Sequence, residues 1–170
     1  GDVYKRQMEK GHRTIGFIGG PDRNIDTGLP SMDIREWSFR QSASYYNCLN
    51  EDYILISDKF TVEEGYRLGK ELLTKETIPT SLCVASDTLA VGVLQALNEA
   101  GVQVPEQVAV FSINDVNIAK YLSPPLTTIH IDIPIICETA LDLLRNRVLS
   151  GGKITKSIFV NGTPVFRKSC

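Results

Sequence analysis

The 170-residue chain is 42% apolar and 22% charged, with 18 Lys and Arg against 20 Asp and Glu and a formal net charge of −2. That suits one globular core. No apolar run reaches the ~20 residues of a membrane-crossing helix, and the cationic residues gather on no face that could neutralise a row of phosphates. Residues 1–7 carry neither an initiator Met nor a signal-type apolar stretch, so the chain reads as a fragment and 1–7 as a foreign or disordered leader. Cys48, Cys83, Cys137 and Cys170 are too scattered for a zinc site or a dense disulfide scaffold, and read as free thiols.

Short apolar runs then alternate with helical periodicity. A buried strand over 14–19 stops at Gly20-Pro21, and a polar loop containing Gly28 and Pro30 follows. A helix over 34–47 takes Asp33 as its cap, and a strand covers 53–57. Thr61-x-x-Glu64 has the form of a capping box, opening a helix to about Thr74 with Val62, Tyr66, Gly69 and Leu73 on one face. A strand over 81–85 leads to Ser86 and Asp87, which can cap a helix with Leu89, Val93, Leu97 and Ala100 on one face, stopped by Gly101. Strands over 108–112 and 126–130 come next. Pro134 opens an apolar helix to about Leu149 that Gly151-Gly152 end, and 157–160 form a last strand.

This alternation predicts an α/β fold, a parallel sheet covered by helices on both faces. Ligands bind such sheets outside the carboxyl ends of the strands. The residues there are 20–35, Asp58 to Phe60, Ser86, Asp87, Asn114, Asp115, Ile131 and Asp132. They mix hydrogen-bonding groups with an aromatic, the makeup of a pocket for a small polar ligand.

Other chemistries fit less well. Gly16-x-x-Gly19-Gly20 lacks dinucleotide-loop spacing, and a long loop separates it from the next helix. Asp58, Asp87 and Asp115 could hold magnesium but serve better as caps and hydrogen-bond acceptors. His12 reads as satisfying local backbone and His130 as a core histidine, with no triad implied. Trp37 lies two residues from Arg35, roughly 200° around a helix, and reads as packing. No catalytic residue, metal or cofactor is expected.

Gly11-His-Arg-Thr-Ile-Gly-Phe-Ile-Gly-Gly20, Arg35-x-x-x-Phe39 and Phe60-Thr-x-Glu-x-Gly65-Tyr66 are followed by Pro79-Thr80, Ala85-Ser-Asp-x-Leu-Ala90-x-Gly92 and Val104-Pro105-Glu106. Ser123-Pro-Pro-Leu-Thr-Thr-Ile129 and Arg167-Lys-Ser-Cys170 complete the series. From about residue 8 onward this order and spacing resembles the LacI/GalR family of transcription regulators. The resemblance implies the second lobe of a periplasmic-binding-protein type I sensor, over 8–131 and 156–166, with the helix over 133–150 crossing to a mostly absent first lobe. It implies a cytoplasmic homodimer that binds a small sugar between lobes and operator DNA through a headpiece absent from this chain.

By position, the resemblance makes Arg35 the arginine that grips ligand hydroxyls or carboxylate and Phe60 the aromatic that packs on the ligand's face. Ser86 stands where many members have Asn, Asn114 where many have Asp, with Asp115 beside it. Ile131 replaces a polar residue of some members. Val91, Tyr121 and Leu122 match dimer-face positions. Asn114-Asp115 and Asp33-x-Arg35 resemble galactose-type regulators, so a galactoside is the first expectation. A periplasmic sugar-binding protein of an ABC transporter, with the same fold, is the alternative; a small α/β enzyme is the third reading.

Overall fold

A computed structural model describes residues 2–24, 26–151 and 155–170. In chain order the elements are α1 (Asp2–Glu9), β1 (Ile15–Gly19), β2 (Asp22–Arg23), β3 (Pro30–Ser31) and α2 (Ile34–Tyr45). Then come β4 (Ile54–Ile56), α3 (Val62–Leu73), β5 (Ser81–Val84), α4 (Asp87–Glu99) and β6 (Ala109–Asn114). β7 (Thr127–His130), α5 (Ile133–Leu149) and β8 (Thr163–Val165) complete the chain.

The main sheet has the order β4-β1-β5-β6-β7-β8. Every pairing is parallel except that of β8 with β7. Its central strands are buried along their whole length, as expected of parallel strands with both faces covered. On one face Leu68 and Leu72 of α3 and Leu89, Val93 and Leu97 of α4 pack on Ile18, Leu82, Val84 and Val110. On the other, Phe39 and Ala43 of α2 pack with Ile15, Phe17, Cys83 and Phe111, and the Phe17 and Phe39 rings lie 5.2 Å apart.

α3 and α4 cross at backbone contact. A Cβ on Gly92 would fall 2.0 Å from the Val62 carbonyl oxygen, and one on Gly65 would fall 2.0 Å from that of Leu89. Only glycine fits either position, so this crossing selects the buried face of α3. That face is Gly65, Leu68, Gly69 and Leu72; of the predicted residues Gly69 lies on it and half-buried Leu73 packs at its margin, while Val62 and Tyr66 do not belong to it. Ala100, predicted on the buried face of α4, is instead its exposed C-cap.

Three of the four side-chain caps are expected from sequence; that of Asp132 is not. Asp33, Thr61, Ser86 and Asp132 each accept a backbone amide at a helix start. The Thr61 box is made on one side: the Glu64 amide donates to Thr61 Oγ1 at 3.3 Å. The Glu64 carboxylate turns instead to Arg67 Nη2 at 2.8 Å and Ser57 Oγ at 2.6 Å. Arg67 first, then Ser57, holds that carboxyl down at about 2.

Other expectations give way. Of the foreign or disordered leader expected over 1–7, the disordered form gives way: the chain is helical from Asp2, and Gln7 is fully buried, donating to Cys170 Sγ and accepting from Ser81 Oγ at 3.1 Å. The 20–35 loop contains a small hairpin of β2 and β3, braced by Arg23 Nη1 donating to the Gly28 carbonyl at 3.2 Å. The last strand is Thr163–Val165 rather than 157–160, since Ile158 and Phe159 stay exposed and have no layer to bury them here. α5 ends at its C-cap Ser150 with Gly151 at φ +70°; Gly152 lies outside the described residues.

Candidate functional site

From β1 the chain moves to one edge through α2 and β4, then returns through α3 to place β5 on the other side of β1. The carboxyl ends of β1 and β5 therefore flank a topological switch point, where loops diverge and leave a crevice.

Gly20, at the end of β1, makes room for an aromatic: a Cβ there would meet the Phe60 ring at 3.1 Å and the Ser57 carbonyl at 3.0 Å. Half-buried Phe60 lies beneath Arg35, whose guanidinium carbon is 4.8 Å from the ring centroid. Asp33 caps α2 by accepting the Arg35 amide at 2.7 Å, so Arg35 sits in the first turn. The same carboxylate takes Arg35 Nε at 2.7 Å and Nη2 at 2.6 Å, a bidentate fork. Arg35 Nη1 donates to the Ala85 carbonyl at 2.8 Å. These bonds use three of the five guanidinium N–H groups, leaving one on each Nη.

Electrostatics hold this pair charged. Hydrogen bonding to Asp33 raises the Arg35 pKa against the opposing effect of burial, and the negative fields of Asp33 and Asp22 add to it. Burial pushes the Asp33 carboxyl up, but the hydrogen bonds and charge of Arg35 outweigh it and hold it below the usual value. The Asp33 side chain is 6% exposed and that of Arg35 29%, so only the arginine offers polar atoms to the crevice.

At the centre, Ser86 Oγ accepts the Leu89 amide at 3.3 Å and the residue is buried, so capping engages its hydroxyl. Asp87, predicted as a cap or hydrogen-bond acceptor, is fully buried and works as an acceptor hub. It accepts from Ser112 Oγ, from Thr128 Oγ1 at 2.7 Å and from the Val116 amide at 2.7 Å, tying β6, β7 and the turn after β6 to the start of α4.

Beyond it, Asn114 is exposed at φ +122° and Asp115 adopts φ +55°. The Asp115 amide donates to Thr128 Oγ1 at 3.3 Å. One carboxylate oxygen of Asp115 accepts Arg167 Nη2 at 2.7 Å, and the other lies 3.1 Å from His130 Nδ1. Arg167 Nη1 also donates to the Leu126 carbonyl at 2.8 Å. Ile131 is half-buried where β7 ends, and a Cβ on Gly162 would come 3.2 Å from its Cδ1.

The structure thus brings Arg35 and Phe60 into contact beside Ser86, and groups Asn114, Asp115 and Ile131 at the ends of β6 and β7. Sequence reasoning missed the Asp33 fork, the partners that Asp87 gathers, and Arg167 as the partner of Asp115. Only the first had a local signal, an Asp cap two residues before an Arg. His130 is not a core histidine but a partly exposed partner of Asp115. Trp37, expected to pack, is 50% exposed, because α2 buries Glu36, Phe39 and Ala43. Of the expected dimer-face residues, Tyr121 is exposed, while Val91 and Leu122 are half-buried. Among the described residues no cluster of His, Cys, Asp and Glu is disposed to hold a metal ion, and no helix is long and apolar enough to cross a membrane.

Comparison with known proteins places the site in context. The family model described as a periplasmic binding protein-like domain matches residues 5–170. The HTH-type transcriptional regulator GanR of Bacillus subtilis is 44% identical over 163 residues, covering 95% of this chain and 49% of that protein. The HTH-type transcriptional regulator GalR of Lacticaseibacillus casei is 35% identical over 94% of this chain and 48% of its own length. A crystal structure of a putative LacI transcriptional regulator from Bacillus cereus superposes with a TM-score of 0.87 at 27% identity, over 99% of this chain and 58% of that one. The chain spans about half the length of the curated relatives it matches.

Proposed function

The chain belongs to the periplasmic binding protein-like family, among the sensor domains of LacI/GalR-type regulators, and from that premise we propose that it forms the C-terminal part of a bacterial regulator's effector-sensing domain. It binds a small sugar, a galactoside, in the crevice beside β1 and β5, and so changes operator affinity through a headpiece outside this chain. The parent works in the cytoplasm as a homodimer, with Val91, Tyr121 and Leu122 on the dimer face. Asn114, Asp115 and Ile131 form the far wall of the cleft, with Asp115 held by Arg167. Residues 8–131 and 156–166 build the second lobe, and α5 reaches into the first. None of the residues of α5 is buried here, and Ile135, Leu141, Leu144 and Val148 stand exposed, a stripe that needs another layer.

One observation carries the reading: Arg35 keeps an N–H on each Nη beside the face of Phe60. Two rigid, adjacent donors suit the neighbouring hydroxyls of a sugar, while the ring takes its C–H face. The galactoside rests on Asn114-Asp115 and Asp33-x-Arg35, the runs that resemble galactose-type regulators. The two curated relatives above are named as transcriptional regulators rather than transport proteins, and the transporter alternative is set aside. The test is titration of the full-length regulator with galactose and lactose, by calorimetry and by retardation of operator DNA. Saturable binding that shifts operator retention is the expected result; no binding and no shift with either sugar would overturn the galactoside reading.

A further inference from the structure

Building on that reading, we infer that Asp33 is a positioning and specificity residue that fixes the effector's class. It presents Arg35 as a charge-neutral pair, so the cleft takes an uncharged polyol and turns away phosphorylated or carboxylated sugars.

A free arginine in a cleft favours anions, because its fork matches a carboxylate or phosphate face to face. Here the Nε–Nη2 edge already carries a carboxylate, with both oxygens of Asp33 engaged at 2.7 and 2.6 Å. An anion seeking that edge must displace a residue only 4% exposed that also caps α2 through the Arg35 amide. Asp22 adds further negative field at the same guanidinium. The remaining N–H groups point to hydroxyl recognition, where a donor without net charge suffices.

Among the described residues, the other basic side chains near these strand ends are paired or, like Arg23 and Lys59, exposed to solvent. Arg167 and His130 both pair with Asp115. Lys59, beside Phe60, is exposed, and its charge acts on Glu64. An entering anion would meet the Asp33 carboxylate and the field of Asp22 around Arg35, against which the exposed charges of Lys59 and Arg23 are screened by solvent. Like-charge juxtaposition of this kind discriminates ligands more strongly than a lost contact does.

The test compares the full-length regulator with Asp33→Ser and Asp33→Asn, with Arg35→Ala as the control. The probes are galactose, lactose and glucose against galacturonate, galactose 6-phosphate and glucose 6-phosphate, by calorimetry. Serine keeps an N-cap oxygen but removes fork and charge; asparagine keeps shape and cap but removes the charge. The wild type should prefer a neutral sugar over its anionic counterpart by at least about a hundredfold. Each Asp33 variant should lose about tenfold or more in neutral-sugar affinity and shift the neutral-to-anionic ratio by about tenfold toward the anion, whatever its loss of melting temperature. A merely structural role for Asp33 would lower melting without moving that ratio. Unchanged affinity and ratio in both Asp33 variants, with Arg35→Ala defective, would overturn the inference and leave the site standing. Wild-type affinity in Arg35→Ala, or no sugar bound by the wild type, would overturn the site itself.

Discussion

Asp33 with Arg35 and Asp115 with Arg167 are both carboxylate–guanidinium pairs at the carboxyl end of one sheet, yet they differ in reach. The first joins residues two apart, lies over an aromatic ring, and leaves the arginine side chain 29% exposed. The second joins residues 52 apart, and its arginine is 17% exposed. That arginine also bonds the Leu126 carbonyl, and its backbone amide donates to Thr127 Oγ1 at 2.9 Å. A local pair costs the fold little and can present donors to a ligand; a long-range pair ties the C-terminal tail across β6 and β7. Charge pairing alone therefore does not mark a binding residue. What marks Arg35 is donors left over beside an apolar face.

The largest effect should come from the hub behind the braced end. Asp87→Ala strands the buried Ser112 and Thr128 hydroxyls and leaves the part-buried Val116 amide without its acceptor. It should destabilise the protein by about 3–5 kcal/mol, at ~1–3 per unsatisfied donor. Thermal or urea unfolding checks this, and a melting temperature close to wild type would mean the strand ends hold without the hub.

A smaller change should touch neither pair. Val91 lies half-buried on α4, outside the set of α4 residues that pack into the core. Val91→Glu should weaken the dimer proposed for the parent by about tenfold or more, ~1.4 kcal/mol, with melting little changed. Sedimentation across a concentration series measures it. A dimer as tight as wild type would remove Val91 from the interface.

Much of this was legible in the chain. Strand–helix alternation implied the parallel sheet, and the strand-end segments 20–35 and 58–60 contain Arg35 and Phe60, which the family resemblance singled out. The caps at Asp33, Thr61 and Ser86 carry local signals because capping acts within three residues. What stayed hidden was non-local or steric. The buried face of α3 depends on Gly65 and Gly92 meeting across a helix pair, which no single-helix periodicity encodes. Ile158 and Phe159 have the composition of a strand but no partner to pair with, so β8 forms a few residues later. Arg167 looked like part of a terminal motif, since nothing in sequence links it to Asp115.

The central claim is that the Arg35 end grips effector while the Arg167 end braces the sheet. Calorimetric titration of galactose into full-length Arg35→Ala and Arg167→Ala, each with a melting curve, tests it most directly. Arg35→Ala should lose about 2–4 kcal/mol of binding, together with some stability, because the buried Asp33 carboxylate keeps only its cap amide. Arg167→Ala should retain most binding and lose about 2 kcal/mol of stability. Wild-type affinity in Arg35→Ala would contradict the account.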